Sequence, residues 1–230
     1  MKKTRKKIGL FGGTFNPVHF GHLRVAEEVR ERLGFDKVLF IPSCNPPLKS
    51  GSLASGRDRY EMTRLAVLGN PFFEISDVEC RNPGKSYTVE TYATLMQEYP
   101  DTDLSLIVGI DSFLDIPAWY QPERLMELAS FVVISRPGFR FADLSPLVAA
   151  GEGVLSALDR HEREVASASM KNGREAFLMN VTPFHVSATS VRACVREGRS
   201  IKYLLPDEVE SYIISHNLYR EGSDPLRKQE

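Results

Sequence analysis

The chain has 230 residues and a formal net charge of −1, with 42% hydrophobic and 26% charged residues. These values are typical of a globular protein with a substantial core, and the near-neutral charge argues against a protein whose main partner is nucleic acid. Five basic residues fall within residues 2–7, a run we interpret as a solvated terminus. No apolar run is long enough to span a membrane, so we expect no transmembrane segment. No apolar run of the secretory type follows the basic residues, so we expect no secretory signal.

Short apolar runs alternate along the chain with segments of helical periodicity. The predicted strands are residues 8–11, 37–41, 72–75, 104–108 and 131–134. The predicted helices between them are residues 23–33, 57–68 and 88–99. This alternation is typical of a doubly wound α/β fold, in which helices cover both faces of a parallel sheet. Ligands of such folds bind at the carboxyl ends of the strands.

The alternation weakens between residues 139 and 174, where only residues 154–165 show a helical pattern. We interpret this stretch as an elaboration of one domain that spans residues 1–220. The polar residues 221–230 have too little apolar surface to pack, and we predict that they are disordered.

The three cysteines, Cys44, Cys80 and Cys194, are far apart and odd in number. Their spacing matches neither a metal site nor a redox motif, and the usage is typical of a reducing cytoplasm. We expect them to act as small apolar residues.

The segment from residue 12 to residue 22, GGTFNPVHFGH, follows the first predicted strand and precedes the first predicted helix. Gly12 and Gly13 allow the backbone to approach a ligand closely. His19 and His22 lie three residues apart at the start of the helix, where N–H groups and the helix dipole favour anions. The segment therefore predicts a phosphate site.

This segment is consistent with two other kinds of site. One is a structural loop that carries two surface histidines, but the glycine pair, the strand and the helix all agree with an anion site. The other is a zinc site, which the sequence does not favour because it has no H-E-x-x-H pattern.

A second candidate anion site begins at Ser187, after the apolar run of residues 177–184. We predict that Ser187 caps a helix that Gly198 ends, with Thr189 and Arg192 in its first turns. On its own this segment is also consistent with an ordinary capped helix. With the first motif, it suggests a polyphosphate held at both ends, although the chain has neither a P-loop nor G-x-G-x-x-G after its first strand.

Together these segments resemble the bacterial nicotinate-nucleotide adenylyltransferases, nucleotidyltransferases with an H-x-G-H motif. The resemblance covers about residues 8–220 but gives no residue-level match between 139 and 174. The matching segments are residues 12–19, 46–49, 86–88, 109–112, 119–120, 136–138, 187–192 and 204–219.

The resemblance implies transfer of AMP from ATP to nicotinate mononucleotide in NAD biosynthesis, in the cytoplasm, with Mg²⁺ sharing the phosphate charge. It implies catalytic roles for His19, His22 and Arg192. The positions expected to bind ATP and its phosphates are Gly12, Gly13, Thr14, Phe15, Lys49, Gly109, Asp111, Arg136, Ser187 and Thr189. Those expected to bind the mononucleotide are Asn16, Tyr87, Thr88 and Trp119.

Several of these roles have plainer alternatives. Without the resemblance, Trp119 would be interpreted as a core residue. Asp111 could otherwise be a helix cap, and Arg136 a residue that ends a strand. The chain could also be a related adenylyl- or cytidylyltransferase with another phosphate-bearing acceptor, or an enzyme that prefers nicotinamide mononucleotide. A third class is a nucleotide-sensing protein without turnover. We expect no nucleic-acid or membrane partner, and a homo-oligomer is possible.

Overall fold

The computed structural model describes residues 5–46, 53–82 and 84–220. Lys49, residues 2–4 of the basic run and the tail from 221 to 230 therefore lie outside the described residues. Within the described ranges the strands are β1 (Lys6–Gly13), β2 (Lys37–Pro42), β3 (Phe73–Ile75), β4 (Thr102–Gly109), β5 (Ser130–Ile134), β6 (Val148–Ala149), β7 (Val165–Met170) and β8 (Glu175–Met179). The α-helices are α1 (Phe20–Leu33), α2 (Gly56–Val67), α3 (Thr88–Glu98), α4 (Ile110–Leu114), α5 (Pro122–Leu128), α6 (Val154–Asp159), α7 (Ala188–Arg196) and α8 (Asp207–Ser215), with 3₁₀ helices at Ile116–Ala118 and Phe141–Leu144.

The strands form one sheet in the order β3-β2-β1-β4-β5-β8-β7-β6. β4 is parallel to both β1 and β5, and β5 is parallel to β8. The consecutive residues 104–107 of β4 and 131–134 of β5 are all buried, as expected for strands covered on both faces. The predicted α/β fold with a mostly parallel sheet is therefore confirmed.

The chain divides into two compact units. The first comprises Met1–Gly12, Val25–Leu39 and Tyr87–Pro183, and contains β4 to β8. The second comprises Gly13–Arg24, Phe40–Ser86 and Phe184–Glu230, and contains α2, β3, α7 and α8. In the second unit the Ser76 N–H donates to the Phe40 carbonyl at 2.9 Å.

The prediction of one helix across residues 154–165 is wrong at its carboxyl end. α6 ends at Asp159, and Val165 begins β7, which pairs antiparallel with both β8 and β6. Burial alternates along β7, with Ala166 and Ala168 buried while Ser167 and Ser169 are exposed. This is the period of a strand, but alanine and serine differ too little in hydropathy to signal it clearly.

The expectation for the cysteines is wrong for Cys44 and Cys80, which form a disulfide with Cα atoms 5.0 Å apart. The bond joins the segment after β2 to the segment after β3. Because the two cysteines are 36 residues apart in the sequence, no local pattern indicated that they are close in space. Cys194 is a free, buried thiol, as expected. Among the described residues, no helix is long and apolar enough to cross a membrane.

Reduction of the Cys44–Cys80 disulfide is expected to destabilise the protein. Closing a loop of this length in the unfolded chain is worth about 2–4 kcal/mol, or about 4–16 °C in Tm for a domain of this size. Thermal unfolding of the oxidised protein with and without dithiothreitol measures the shift. Cys194→Ala should show the same dithiothreitol-dependent shift and Cys80→Ser should show none; an unchanged Tm for the reduced wild-type chain would contradict the assignment.

Candidate active site

Hydrogen bonds to its backbone carbonyl groups fix the segment after β1. The Ser43 N–H donates to the Gly13 carbonyl at 2.9 Å, and Arg59 Nη1 donates to the Thr14 carbonyl at 2.8 Å. In a trans peptide the C=O and the following N–H point in opposite directions, so these bonds also orient the N–H groups of Thr14 and Phe15. Within the described residues the Thr14 N–H makes no hydrogen bond, and it fits the predicted role of an anion donor.

Phe15 is buried and adopts a left-handed backbone conformation with φ of 44°. Its ring packs against Phe40 and meets the edge of His22, with ring centroids 5.8 Å and 5.1 Å apart. A Cβ added at Gly13 would approach the Phe15 ring to 2.9 Å, so this position requires glycine. The Phe15 side chain thus supports His22, and any phosphate contact of Phe15 would have to come from its backbone.

The two histidines stack on one another at the start of α1, with ring centroids 3.7 Å apart and an interplanar angle of 27°. The backbone N–H of His19 donates to His22 Nδ1 at 3.2 Å. From this bond we assign the neutral His22 tautomer that carries its proton on Nε2. A Cβ at Gly21 would lie 3.1 Å from the His19 ring, which explains the glycine of the H-x-G-H motif.

The helix predicted to start at Ser187 and to stop at Gly198 is confirmed, while its role in anion binding remains a prediction. Ser187 caps α7 by accepting a hydrogen bond from the Ser190 N–H at 3.0 Å, and the Ser190 hydroxyl accepts one from the Ser187 N–H at 3.1 Å. The helix ends at Arg196, and Gly198 has φ of 67°, as a C-terminal stop requires.

Arg192 brings the two segments together. Its Nη1 donates to the Asn16 carbonyl at 2.8 Å across 176 residues of sequence, and its Nη2 donates to Thr189 Oγ1 at 3.3 Å. Arg192 Nε is buried and has no hydrogen-bond partner among the described residues. The side chain therefore positions the loop with two of its five N–H groups and leaves the others, Nε–H among them, for a ligand.

Asn16 is buried and serves as an anchor of the loop. Its Oδ1 accepts hydrogen bonds from the Ala54 N–H at 3.1 Å and from the Tyr219 hydroxyl at 2.9 Å. Burial raises the pKa of Tyr219, so this hydroxyl keeps its proton. The expected contact of Asn16 with the mononucleotide remains a prediction.

In the first unit the structure brings together Gly109, Asp111 and Arg136. Arg136 Nε lies 3.7 Å from Asp111 Oδ1, which is buried and has no hydrogen bond among the described residues. A Cβ at Gly109 would collide with both side chains, so glycine allows the pair to form beside the backbone.

The residues expected to bind the pyridine ring lie on two neighbouring segments of the first unit. Tyr87 precedes α3, which begins at Thr88, and its ring centroid is 4.4 Å from that of Tyr120. Trp119 is half-buried at the end of a 3₁₀ helix, so it is not fully enclosed as a core tryptophan would be. The aromatic contact from Tyr120 was not predicted.

Within the described ranges, no group of three or more His, Cys, Asp or Glu residues could hold a metal ion. Asp111 Oδ1, which makes no hydrogen bond within the described ranges and has Arg136 Nε 3.7 Å away, is one carboxylate ligand for a Mg²⁺ ion that substrate phosphates and water would hold for the most part.

Sequence analysis missed Arg59, which is 1% exposed and contacts four backbone carbonyls. Its position was the available signal, because it falls on the buried face of α2 with Met62, Thr63 and Val67. A charge in an otherwise apolar helical stripe must find several polar partners inside the protein.

Known proteins of similar sequence are nucleotidyltransferases. The Cytidylyltransferase-like family model matches residues 10–194. A protein of Geotalea daltonii named "Probable nicotinate-nucleotide adenylyltransferase" is 41% identical over 218 residues, which cover 94% of this chain and 99% of that protein. A protein of Geobacter sulfurreducens with the same name is 42% identical, with 93% and 98% covered.

Solved structures share the fold. The nicotinic acid mononucleotide adenylyltransferase of Plasmodium falciparum, solved in complex with NaAD, has a TM-score of 0.70 at 20% identity and covers 93% of this chain and 97% of its own. At this identity the match shows the fold alone. The curated relatives and the family model show more: this chain belongs to the nicotinate-nucleotide adenylyltransferase family of cytidylyltransferase-like proteins.

Proposed function

We propose that this chain transfers AMP from ATP to nicotinate mononucleotide, giving nicotinate adenine dinucleotide and pyrophosphate in NAD biosynthesis. The observation that carries the proposal is the bond from Arg192 to the Asn16 carbonyl, because it joins the two segments that the sequence predicts to bind anions, beside stacked histidines. Family membership supports the choice of substrates, since the curated relatives carry that activity in their names.

The attacking group in this reaction is the phosphate of the mononucleotide. A phosphate monoester has a second pKa of about 6, so most of it is a dianion at neutral pH and needs no strong general base. Its oxygen forms a bond to the α-phosphorus of ATP as the bond to the pyrophosphate oxygen breaks. Catalysis then depends on positioning and on stabilising the charge that develops on the α-phosphate and pyrophosphate.

The second unit supplies donors for that charge. His22 offers Nε2–H because its Nδ1 already accepts a hydrogen bond from the His19 N–H. Arg192 offers its buried Nε, and the Thr14 N–H adds a backbone donor. Ser187 and Thr189 lie at the start of α7. Together with Lys49, which lies outside the described residues, they are proposed to contact the outer phosphates. Gly12 and Gly13 are proposed to let a phosphate approach the loop backbone closely.

Residues of the first unit are proposed to bind the other parts of the substrates. The Trp119 ring would stack on the cationic pyridinium, which an aromatic face attracts. Tyr87 and Thr88 at the start of α3 would hold the pyridine carboxylate, and Asn16 of the second unit would contact the mononucleotide. Asp111 would bind a ribose hydroxyl or a phosphate-bound Mg²⁺, and Arg136 would contact ATP beside Gly109. When bound, Mg²⁺ supplies charge neutralisation at the phosphates.

A cytoplasmic location, a single domain over residues 1–220 and the possible homo-oligomer remain predictions. The disulfide between Cys44 and Cys80 argues against a cytoplasmic location, because the cytoplasm keeps most thiols reduced.

The choice of acceptor is the direct test. Pyrophosphate release with ATP and Mg²⁺ gives kcat/KM for each mononucleotide. The value for nicotinate mononucleotide should be at least about tenfold higher than that for nicotinamide mononucleotide, because an unpaired polar group in the pocket typically costs this much or more. Phosphopantetheine should give no product. Equal rates for the two mononucleotides would contradict the carboxylate preference, and turnover with phosphopantetheine alone would overturn the proposed function.

Replacing His22 tests its role as a hydrogen-bond donor to a charged phosphate oxygen. In His22→Asn the side-chain oxygen can still accept from the His19 N–H, while the Nε2–H is lost. Loss of one such donor should lower kcat by about 10²–10³ and change the KM for ATP little. The control is His161→Asn, an exposed histidine with φ of 56° that asparagine tolerates. A kcat for His22→Asn within threefold of wild type would remove His22 from the mechanism.

Replacing Trp119 tests the pyridine contact. A cation–π contact of about 1–2 kcal/mol predicts that Trp119→Ala raises the KM for the mononucleotide by about 5–30-fold. Trp119→Phe should retain most of the affinity, and Phe72→Ala, at another exposed aromatic residue, should retain all of it. Steady-state kinetics with each substrate varied in turn gives the answer. An equal rise in the KM for ATP would instead indicate a purely structural tryptophan.

A further inference from the structure

The most heavily bonded side chain near the candidate site is one to which the proposed reaction assigns no role. Arg59 lies in the first turn of α2 and is 1% exposed. Its Nε donates to the Ala54 carbonyl at 3.0 Å and its Nη2 to the Cys44 carbonyl at 2.9 Å. Its Nη1 donates to the carbonyls of both Thr14 and Ser43. Four of the five guanidinium N–H groups are thus used within the second unit.

These acceptors connect Arg59 to two consecutive peptide groups of the segment after β1, which is predicted to bind phosphate. The Thr14 carbonyl is bound by Arg59 directly. The Gly13 carbonyl is bound by the N–H of Ser43, and the carbonyl of Ser43 is in turn bound by Arg59. The orientation of both peptide planes therefore depends on one side chain, directly in one case and through Ser43 in the other.

Each peptide plane carries the next residue's N–H on the side opposite to its carbonyl. With both carbonyls turned toward Arg59 and Ser43, the N–H groups of Thr14 and Phe15 are turned away from them. We propose that Arg59 is a positioning residue that aims these two N–H groups at the triphosphate of ATP. This inference rests on the proposed function for the identity of the nucleotide.

Two further observations fit a role in positioning. Arginine has a planar fork that reaches several acceptors at once, whereas an ammonium group is a point donor that cannot satisfy four separated carbonyls. Within residues 5–46, 53–82 and 84–220, no carboxylate forms an ion pair with Arg59. Burial lowers the pKa of Arg59, but an arginine in a protein keeps its proton, so the charge also favours a nearby polyphosphate.

The test compares Arg59→Lys and Arg59→Met with the same two changes at Arg64. Arg64 is on the same helix and pairs with the Glu61 carboxylate at 2.6 Å, so it controls for loss of a helical arginine. Circular dichroism and thermal unfolding identify the folded variants. Kinetics with each substrate varied, and calorimetric binding of α,β-methylene-ATP, then measure the ATP contacts separately from turnover.

Folded Arg59→Lys should lose at least tenfold in kcat/KM for ATP and at least fivefold in affinity for α,β-methylene-ATP. Its KM for nicotinate mononucleotide should stay within threefold of wild type, and both Arg64 variants should match wild type. A purely structural role would change the two KM values together, and that result, or ATP values within twofold of wild type, would overturn the proposal. If Arg59→Met does not fold, Arg59→Lys decides.

If neither Arg59 variant folds, the wild-type chain decides. With ¹⁵N-threonine labelling, the Thr14 amide resonance should shift on addition of α,β-methylene-ATP, while that of Thr94 on α3 should not. An unmoved Thr14 amide would overturn the proposal. Failure of the proposed function is distinguishable, because it appears as wild-type chain that binds α,β-methylene-ATP but does not turn over nicotinate mononucleotide.

Discussion

The candidate site depends on a loop whose carbonyl groups are bound by the protein. Ser43, Arg59 and Arg192 hold the carbonyls of Gly13, Thr14 and Asn16, respectively. An anion site built from backbone N–H groups works only if those groups cannot turn away, because a flexible loop would satisfy them with water or with itself. Binding the Gly13 and Thr14 carbonyls fixes the peptide planes that carry the N–H groups of Thr14 and Phe15. The Asn16 carbonyl precedes Pro17, which has no N–H, so the bond from Arg192 fixes the position of the loop instead. Two arginines far apart in the sequence, the buried Arg59 and the half-buried Arg192, supply most of that constraint.

The same constraint accounts for glycines at positions that would otherwise accept other residues. Gly13 makes room for the Phe15 ring, and Gly21 makes room for the His19 ring. In the first unit, Gly109 makes room for Asp111 and Arg136. In each case the glycine is needed because another group packs closely against its Cα. The Phe15 ring in turn meets His22, so the backbone of the loop and the orientation of the His22 imidazole are coupled through one buried side chain.

Much of the fold was predictable from the sequence because the relevant patterns are local. The strands near β1, β2, β4 and β5 and the helices near α1, α2 and α3 have strong hydrophobic contrast, and the caps at Ser187 and Gly198 follow from backbone chemistry. The antiparallel strand β7 was missed because its alanine and serine residues alternate with little contrast. The disulfide, the Arg59 contacts and the bond from Arg192 to Asn16 join residues distant in sequence, which no local pattern reports. Of the candidate residues, those of the loop and α7 are brought together as the sequence suggested, whereas the side chains of Phe15 and Asn16 have structural contacts that it did not.

The central claim is that a triphosphate binds to the oriented N–H groups of the loop, beside the two histidines and Arg192. A crystal structure of the chain with α,β-methylene-ATP and Mg²⁺ tests it most directly. The account predicts phosphate oxygens within hydrogen-bond distance of the Thr14 N–H, His22 Nε2 and Arg192 Nε. Ordered nucleotide whose phosphates contact none of these three donors would contradict it.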